Sequence, residues 1–130
     1  MIDFQLDPRS GVPTYMQLVR QVRQALRIGL LSPGDQLPTA KDVVGRLAIN
    51  PNTVLKAYGE LEHAGLVATR QGQGTFVVRD LPGPRVADLQ SLRRRLRRWF
   101  EEAGSAGLDD EAVDALIAAT RREIAVEDIA

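Results

Sequence analysis

Between residues 13 and 74 the chain is interrupted at short intervals by Pro13, Gly29, the Pro33-Gly34 pair, Pro38, Pro51, Gly65 and the Gly72-Gln73-Gly74 turn. Proline removes a backbone donor, and glycine favours helix ends and tight turns. The pieces between them are short, and the residue pattern of each decides what it becomes. Residues 1–12 read as an arm or short strand, with Phe4 and Leu6 pointing the same way. Pro13 opens a helical pattern in which Tyr15, Leu18, Val19, Val22, Leu26 and Ile28 recur near helical spacing, and Gly29 stops it. Residues 30–38 are turn chemistry centred on Pro33-Gly34.

Thr39 then caps a short helix over residues 40–47, with Asp42 three positions on, and Val43, Val44 and Leu47 are its expected core residues. Ala48-Ile49 is a tight connection. Asn50 is the next cap, and Pro51 sits at the first helical position, where its missing N–H costs nothing. That third helix runs to about Ala64, stopped by Gly65. Residues 66–70 and 75–79 read as two strands joined by a hairpin at 71–74, and residues 80–85 read as a linker.

Two more helices follow. Leu89, Leu92, Leu96 and Phe100 form one stripe with Trp99 beside it; Val113, Leu116, Ile117, Thr120 and Ile124 form the other, with Asp109 as cap and residues 104–107 as the joint. The expected fold is mainly α with a small β-hairpin. A winged helix-turn-helix spans 1–80, and a two-helix segment spans 81–130.

The chain contains no cysteine, so thiolate metal sites and disulfides are excluded. No apolar run is long enough to span a bilayer, and the first residues lack the pattern of a signal peptide, so a cytoplasmic address is expected and no membrane partner. The single histidine, His63, has no second ligand nearby in sequence, and no acid–base pair stands beside a nucleophile. Neither an enzyme, a metal site nor a cofactor is expected. Net charge is zero, and residues 1–80 carry nine Lys or Arg against seven Asp or Glu. Nucleic-acid binding therefore has to rely on placed basic side chains, not on bulk charge.

Three helices followed by a glycine-rich hairpin is the order of a winged helix, whose third helix enters the major groove. On that helix Val54, Ala57, Tyr58, Leu61 and Ala64 make an inward stripe, while Asn52, Thr53, Lys56, Gly59 and His63 lie opposite. Asn pairs with adenine, Thr offers a hydroxyl or a methyl, Lys suits phosphate or guanine, and the helix N-terminus favours a phosphate. Gly59 leaves room for close approach. Glu60 is the dissenting charge. Tyr58 is read as packing, with a phosphate contact by its hydroxyl as the alternative, and Arg70, at the wing base, as reaching a phosphate.

Four stretches carry a family resemblance: 13–18 (PTYMQL), 29–39 (GLLSPGDQLPT), 50–62 (NPNTVLKAYGELE) and 72–77 (GQGTFV). In this order and register, over roughly residues 10–79, they resemble the GntR family of regulators. The resemblance makes 50–62 the recognition helix and 72–77 the wing. It implies DNA contacts by Thr39, Lys41, Asn50, Asn52, Thr53, Lys56, Arg70, Gly72 and Gln73. In two places the chain departs from the family's common pattern. Lys41 stands where Arg is frequent, which keeps a phosphate contact without the bidentate fork. Asn50-Pro51 replaces a frequent Ser-Arg, which implies an operator less dependent on guanine.

The fifty residues after the wing are too few for a large effector domain or a fused aminotransferase-like domain. They resemble the YtrA-type subfamily, in which a helical hairpin serves dimerisation, here through Leu89, Leu92, Leu96, Trp99, Phe100, Val113, Leu116 and Ile117. A lone two-helix hairpin cannot bury both stripes, so they need a partner, either the same segment of a second chain or the winged-helix domain. The arginine run Arg93-Arg94-Arg95 with Arg97-Arg98 is read as a solvated face paired with Glu101, Glu102 or the acidic last helix. The expected function is that of a homodimeric repressor on a palindromic double-stranded DNA operator, with an effector unspecified and a transporter operon as target by resemblance alone. The competing reading is a winged-helix protein-interaction module without DNA readout. The polar and basic outer face of the third helix favours DNA.

Overall fold

The computed structural model describes residues 1–129 and contains five helices and one hairpin: α1 (Thr14–Arg27), α2 (Ala40–Leu47), α3 (Pro51–His63), β1 (Val67–Arg70), β2 (Gly74–Val77), α4 (Val86–Ser105) and α5 (Asp110–Ile129). They form two compact units, Met1–Val86 and the described residues from Ala87 onward.

In the first unit α1, α2 and α3 pack around Leu18, Val22, Leu26, Leu37, Val43, Val54, Leu61 and Leu66, and the hairpin adds Val67 and Val77. Each such side chain contributes about 1.5–3 kcal/mol on burial. Caps set the helix boundaries. Thr39 Oγ1 accepts from Asp42 N at 3.1 Å, and Asn50 Oδ1 accepts from Asn52 N at 2.8 Å. α3 ends at Ala64 and Gly65, the latter with φ +77°, and Arg79 Nη2 donates to Ala64 O at 2.8 Å. A cation on the last carbonyls also complements the helix dipole. α2 closes differently: Ala48 takes the left-handed conformation, φ +54°, which glycine usually occupies.

Several expectations are sharpened or corrected. Of the two readings of residues 1–12, arm or short strand, the arm holds: residues 1–7 run along α1 and residues 8–10 turn. Gln5 N donates to Gln21 Oε1 at 2.9 Å, and Asp7 N donates to Gln17 Oε1 at 2.8 Å. Each glutamine amide also donates to the carbonyl of the same arm residue. The repeats match: four helical residues rise about 6 Å, and two extended residues about 6.6 Å. Phe4 is buried beneath this arm, and Arg46 pairs with Asp3 at 2.7 Å.

Ile28 lies beyond α1 and is 40% exposed, because the helix stops at Arg27. Val44 and Leu47 are only partly buried, as an eight-residue helix turns one narrow face inward. The strands are shorter than expected. Leu66, Val78 and Arg79 fall outside them, and Gly74 opens β2. Gly104 and Ser105 belong to α4, so the joint with α5 is residues 106–109.

The second unit is this α4–α5 hairpin. Asp109 Oδ1 accepts from Ala112 N at 2.8 Å and caps α5. Burial is confined to the connected end, at Ala103 and Val113.

Candidate nucleic-acid interface

α3 divides sharply into two faces. Val54, Ala57, Tyr58 and Leu61 are buried, whereas Asn52, Lys56, Gly59 and Glu60 are exposed and Thr53 is half-exposed. A Cβ built on Gly59 meets nothing within 4 Å, so the glycine leaves an open notch in the outer face. Tyr58 belongs wholly to the packing. Its hydroxyl donates to Pro38 O at 2.6 Å, and burial, reinforced by the charge of Asp42, pushes its pKa well above the ordinary phenol value. It is not available to a phosphate.

Lys56 has a partner that its sequence position does not reveal. Its Nζ lies 4.1 Å from the centre of the Tyr15 ring on α1, a cation–π contact that restricts a long, flexible side chain without neutralising it. Thr39 and Asn50 spend one side-chain oxygen lone pair each on capping; the Thr hydroxyl hydrogen and the Asn amide hydrogens remain for other acceptors. Lys41, in the first turn of α2, is exposed.

β1 and β2 pair antiparallel from Val67↔Val77 to Arg70↔Gly74. This register puts Arg70 at the turn end of the wing, not at its base. There its guanidinium stacks 4.7 Å from the centre of the Phe76 ring. Gly72 (φ +74°) and exposed Gln73 form the tip.

The wing is braced from a second side. Gly34 N donates to Val77 O at 2.8 Å, Val77 N to Asp35 O at 2.8 Å, and Leu37 N to Thr75 O at 2.9 Å, so residues 34–37 run beside β2 as a further edge. Gln36 Nε2 donates to Gln73 O at 3.1 Å. The same nitrogen stands 2.5 Å from where a Cβ on Gly74 would be, so a side chain at 74 would displace this brace.

Sequence reasoning missed four of these residues: Tyr15, taken only as core; Gln36 and Phe76, which support the wing; and Leu55, which is 58% exposed on α3. Only Leu55 carried a local signal, since it falls off the inward stripe.

The predicted dimerisation residues separate into three groups. Leu92 and Leu96 are each 53% exposed, Phe100 43% and Leu116 44%, whereas Leu89, Trp99 and Ile117 are half-buried. Val113 is used within its own hairpin. Trp99 and Phe100 meet edge to face at 5.3 Å. The ion pairs expected of Arg93, Arg94, Arg95, Arg97 and Arg98 do not form within the chain among the described residues. His63 is exposed, and among the described residues no cluster is placed to hold a metal ion. No described helix is long and apolar enough to cross a membrane.

A capped α2–α3 pair followed by a braced, glycine-tipped hairpin is a winged helix-turn-helix, the class of DNA-binding regulators. The model of the bacterial regulatory proteins of the gntR family matches residues 14–77. The chain is 34% identical over 108 residues to the HTH-type transcriptional repressor YtrA of Bacillus subtilis (strain 168), covering 82% of this chain and 83% of that protein. It therefore belongs to the GntR family and is a DNA-binding transcriptional regulator, not an enzyme.

Among solved structures it resembles YtrA from Sulfolobus acidocaldarius, a GntR-family transcription factor, with TM-score 0.54 and 27% identity over 78% of this chain and 97% of that one. It also resembles the AraR(DBD) chain crystallised with operator ORX1, with TM-score 0.51 and 29% identity over 57% of this chain and 92% of that one.

Proposed function

We propose that the protein is a homodimeric repressor that reads a palindromic operator, with residues 1–80 binding DNA and residues 81–130 holding the dimer. The observation that carries this reading is the outer face of α3. Asn52, Thr53 and Lys56 precede the open position at Gly59 on the outer side of a helix whose inward residues Val54, Ala57, Tyr58 and Leu61 are buried. Asn and Thr suit base edges, and the pinned Lys56 suits a phosphate or guanine. Exposed Leu55 suits the C5-methyl group of a thymine, in keeping with an operator less dependent on guanine. Thr39, Lys41 and Asn50 contribute phosphate contacts from the two helix starts, and Arg70, Gly72 and Gln73 from the wing tip. Repression as the sign of regulation is supported by the relative of that name.

Dimerisation is supported by the exposed stripe on α4 and α5. A twofold dimer brings two α3 helices to half-sites one helical turn, about 34 Å, or a multiple of it apart. Selection from random duplex DNA with purified protein tests this, and two equal inverted half-sites are the expected result. No enriched sequence from a folded dimer would instead favour a protein-interaction module.

A further inference from the structure

The α4–α5 hairpin keeps its apolar residues and its charges unsatisfied in a matched way. Leu92, Leu96 and Phe100 follow one another at four-residue spacing along α4, and all are exposed. On α5 Leu116 and Ile124, eight residues apart, are exposed as well. Thr120, which stands between them, donates its hydroxyl to Leu116 O at 2.8 Å. With its polar group spent within its own helix, Thr120 does not interrupt the apolar row.

Charges border both rows. Arg93 and Arg97, one turn apart, lie beside Leu96 and Phe100, with Glu101 at the end of the same hollow. Glu123 and Glu127, one turn apart, border the α5 row, with Arg122 and Val126 in the same patch. α4 carries five Arg against three acids, and α5 six acids against two Arg. Among the described residues none of Arg93, Arg97, Glu123 and Glu127 makes an ion pair within the chain.

Resting on the dimer proposed above, we infer that α4 of each chain pairs with α5 of a second copy, not with its own α5, and that Arg93 and Arg97 meet the partner's carboxylates at Glu123 and Glu127. Within its own hairpin only Ala103 and Val113 are fully buried, which leaves the exposed rows and both charge pairs for the other chain. Charges flanking an apolar seam select which helix pairs with which, as they do in coiled coils. Like charges brought together by α4 against α4 would oppose association.

Two reversed variants test the pairing by sedimentation at low salt: Arg93→Glu/Arg97→Glu, and Glu123→Arg/Glu127→Arg. Each alone is expected to self-associate at least about tenfold more weakly than wild type. Mixed together they are expected to form a heterodimer, and all four changes in one chain are expected to restore the homodimer. Variants that dimerise like wild type would remove the pairing and leave the dimer standing. Weakened variants that gain nothing on mixing would assign the contact to α4 and α5 of one chain. A monomeric wild type would overturn the dimer itself. Unchanged melting of the first unit checks that the variants fold.

Discussion

The first 86 residues gather fifteen buried hydrophobic side chains into one cluster, whereas the hairpin that follows buries Ala103 and Val113 and exposes Leu92, Leu96, Phe100, Leu116 and Ile124. Both parts are built from capped helices with regular apolar spacing. The difference is closure. Three helices and a hairpin surround a common centre, while two helices in sequence have only each other. The first unit's stability is therefore its own, and on the proposed dimer the second unit's stability depends on protein concentration through association.

The largest test of this contrast compares two leucines. Leu61 is fully buried, and Leu61→Ala should cost about 2–5 kcal/mol in denaturant unfolding, independent of protein concentration. Leu96→Ala should barely affect the first unit. Leu96→Glu should abolish self-association in sedimentation, by placing a charge in an apolar seam. A concentration-independent loss from Leu96→Glu would break the comparison.

A smaller effect belongs to the first unit alone. Tyr58→Phe leaves Pro38 O without its donor and should cost about 1–2 kcal/mol. Because the folded pKa of Tyr58 is raised above the ordinary 10.0, its contribution is complete below that value and is lost as pH climbs beyond it, where the unfolded chain ionises. Alkaline unfolding curves of wild type and Tyr58→Phe should therefore converge above pH 10.0.

Leu55→Ala, at an exposed site, should leave stability unchanged. It should cost about 1 kcal/mol of operator affinity. Wild type should lose the same when uracil replaces one thymine of the operator, and the variant should not respond to that replacement. The smallest effect is expected at Ala48, which is left-handed at φ +54°. There Ala48→Gly should stabilise the first unit by about 0.5–1 kcal/mol in thermal melts.

How much was legible in sequence follows the same division of local from distant. α2 and α3 were readable because Thr39, Asn50 and Pro51 signal their starts within two or three residues. The family motifs also located the outer face of α3. The supports of the candidate site were not legible. Gln36 reaches Gln73 across 37 positions, and Lys56 finds Tyr15 only when α1 and α3 pack. Arg70 ends the first strand in the sequence reading as in the structure, and its pairing with Gly74 puts it beside the turn and not at the base. The arm's clamp by Gln17 and Gln21 had a faint signal, two of the three glutamines of α1 standing one turn apart. Its partner is backbone, which carries no pattern.

The central claim is that the outer face of α3 meets DNA, and Gly59→Ala tests it most directly, because stability and binding should move in opposite directions. An added methyl meets nothing in the free protein, and alanine is the better helix former by about 1 kcal/mol, so the melting temperature should rise. On the selected operator, measured at one stated salt concentration, affinity should fall at least about tenfold as the methyl fills the space the groove needs. A more stable protein that binds as tightly as wild type would contradict the account.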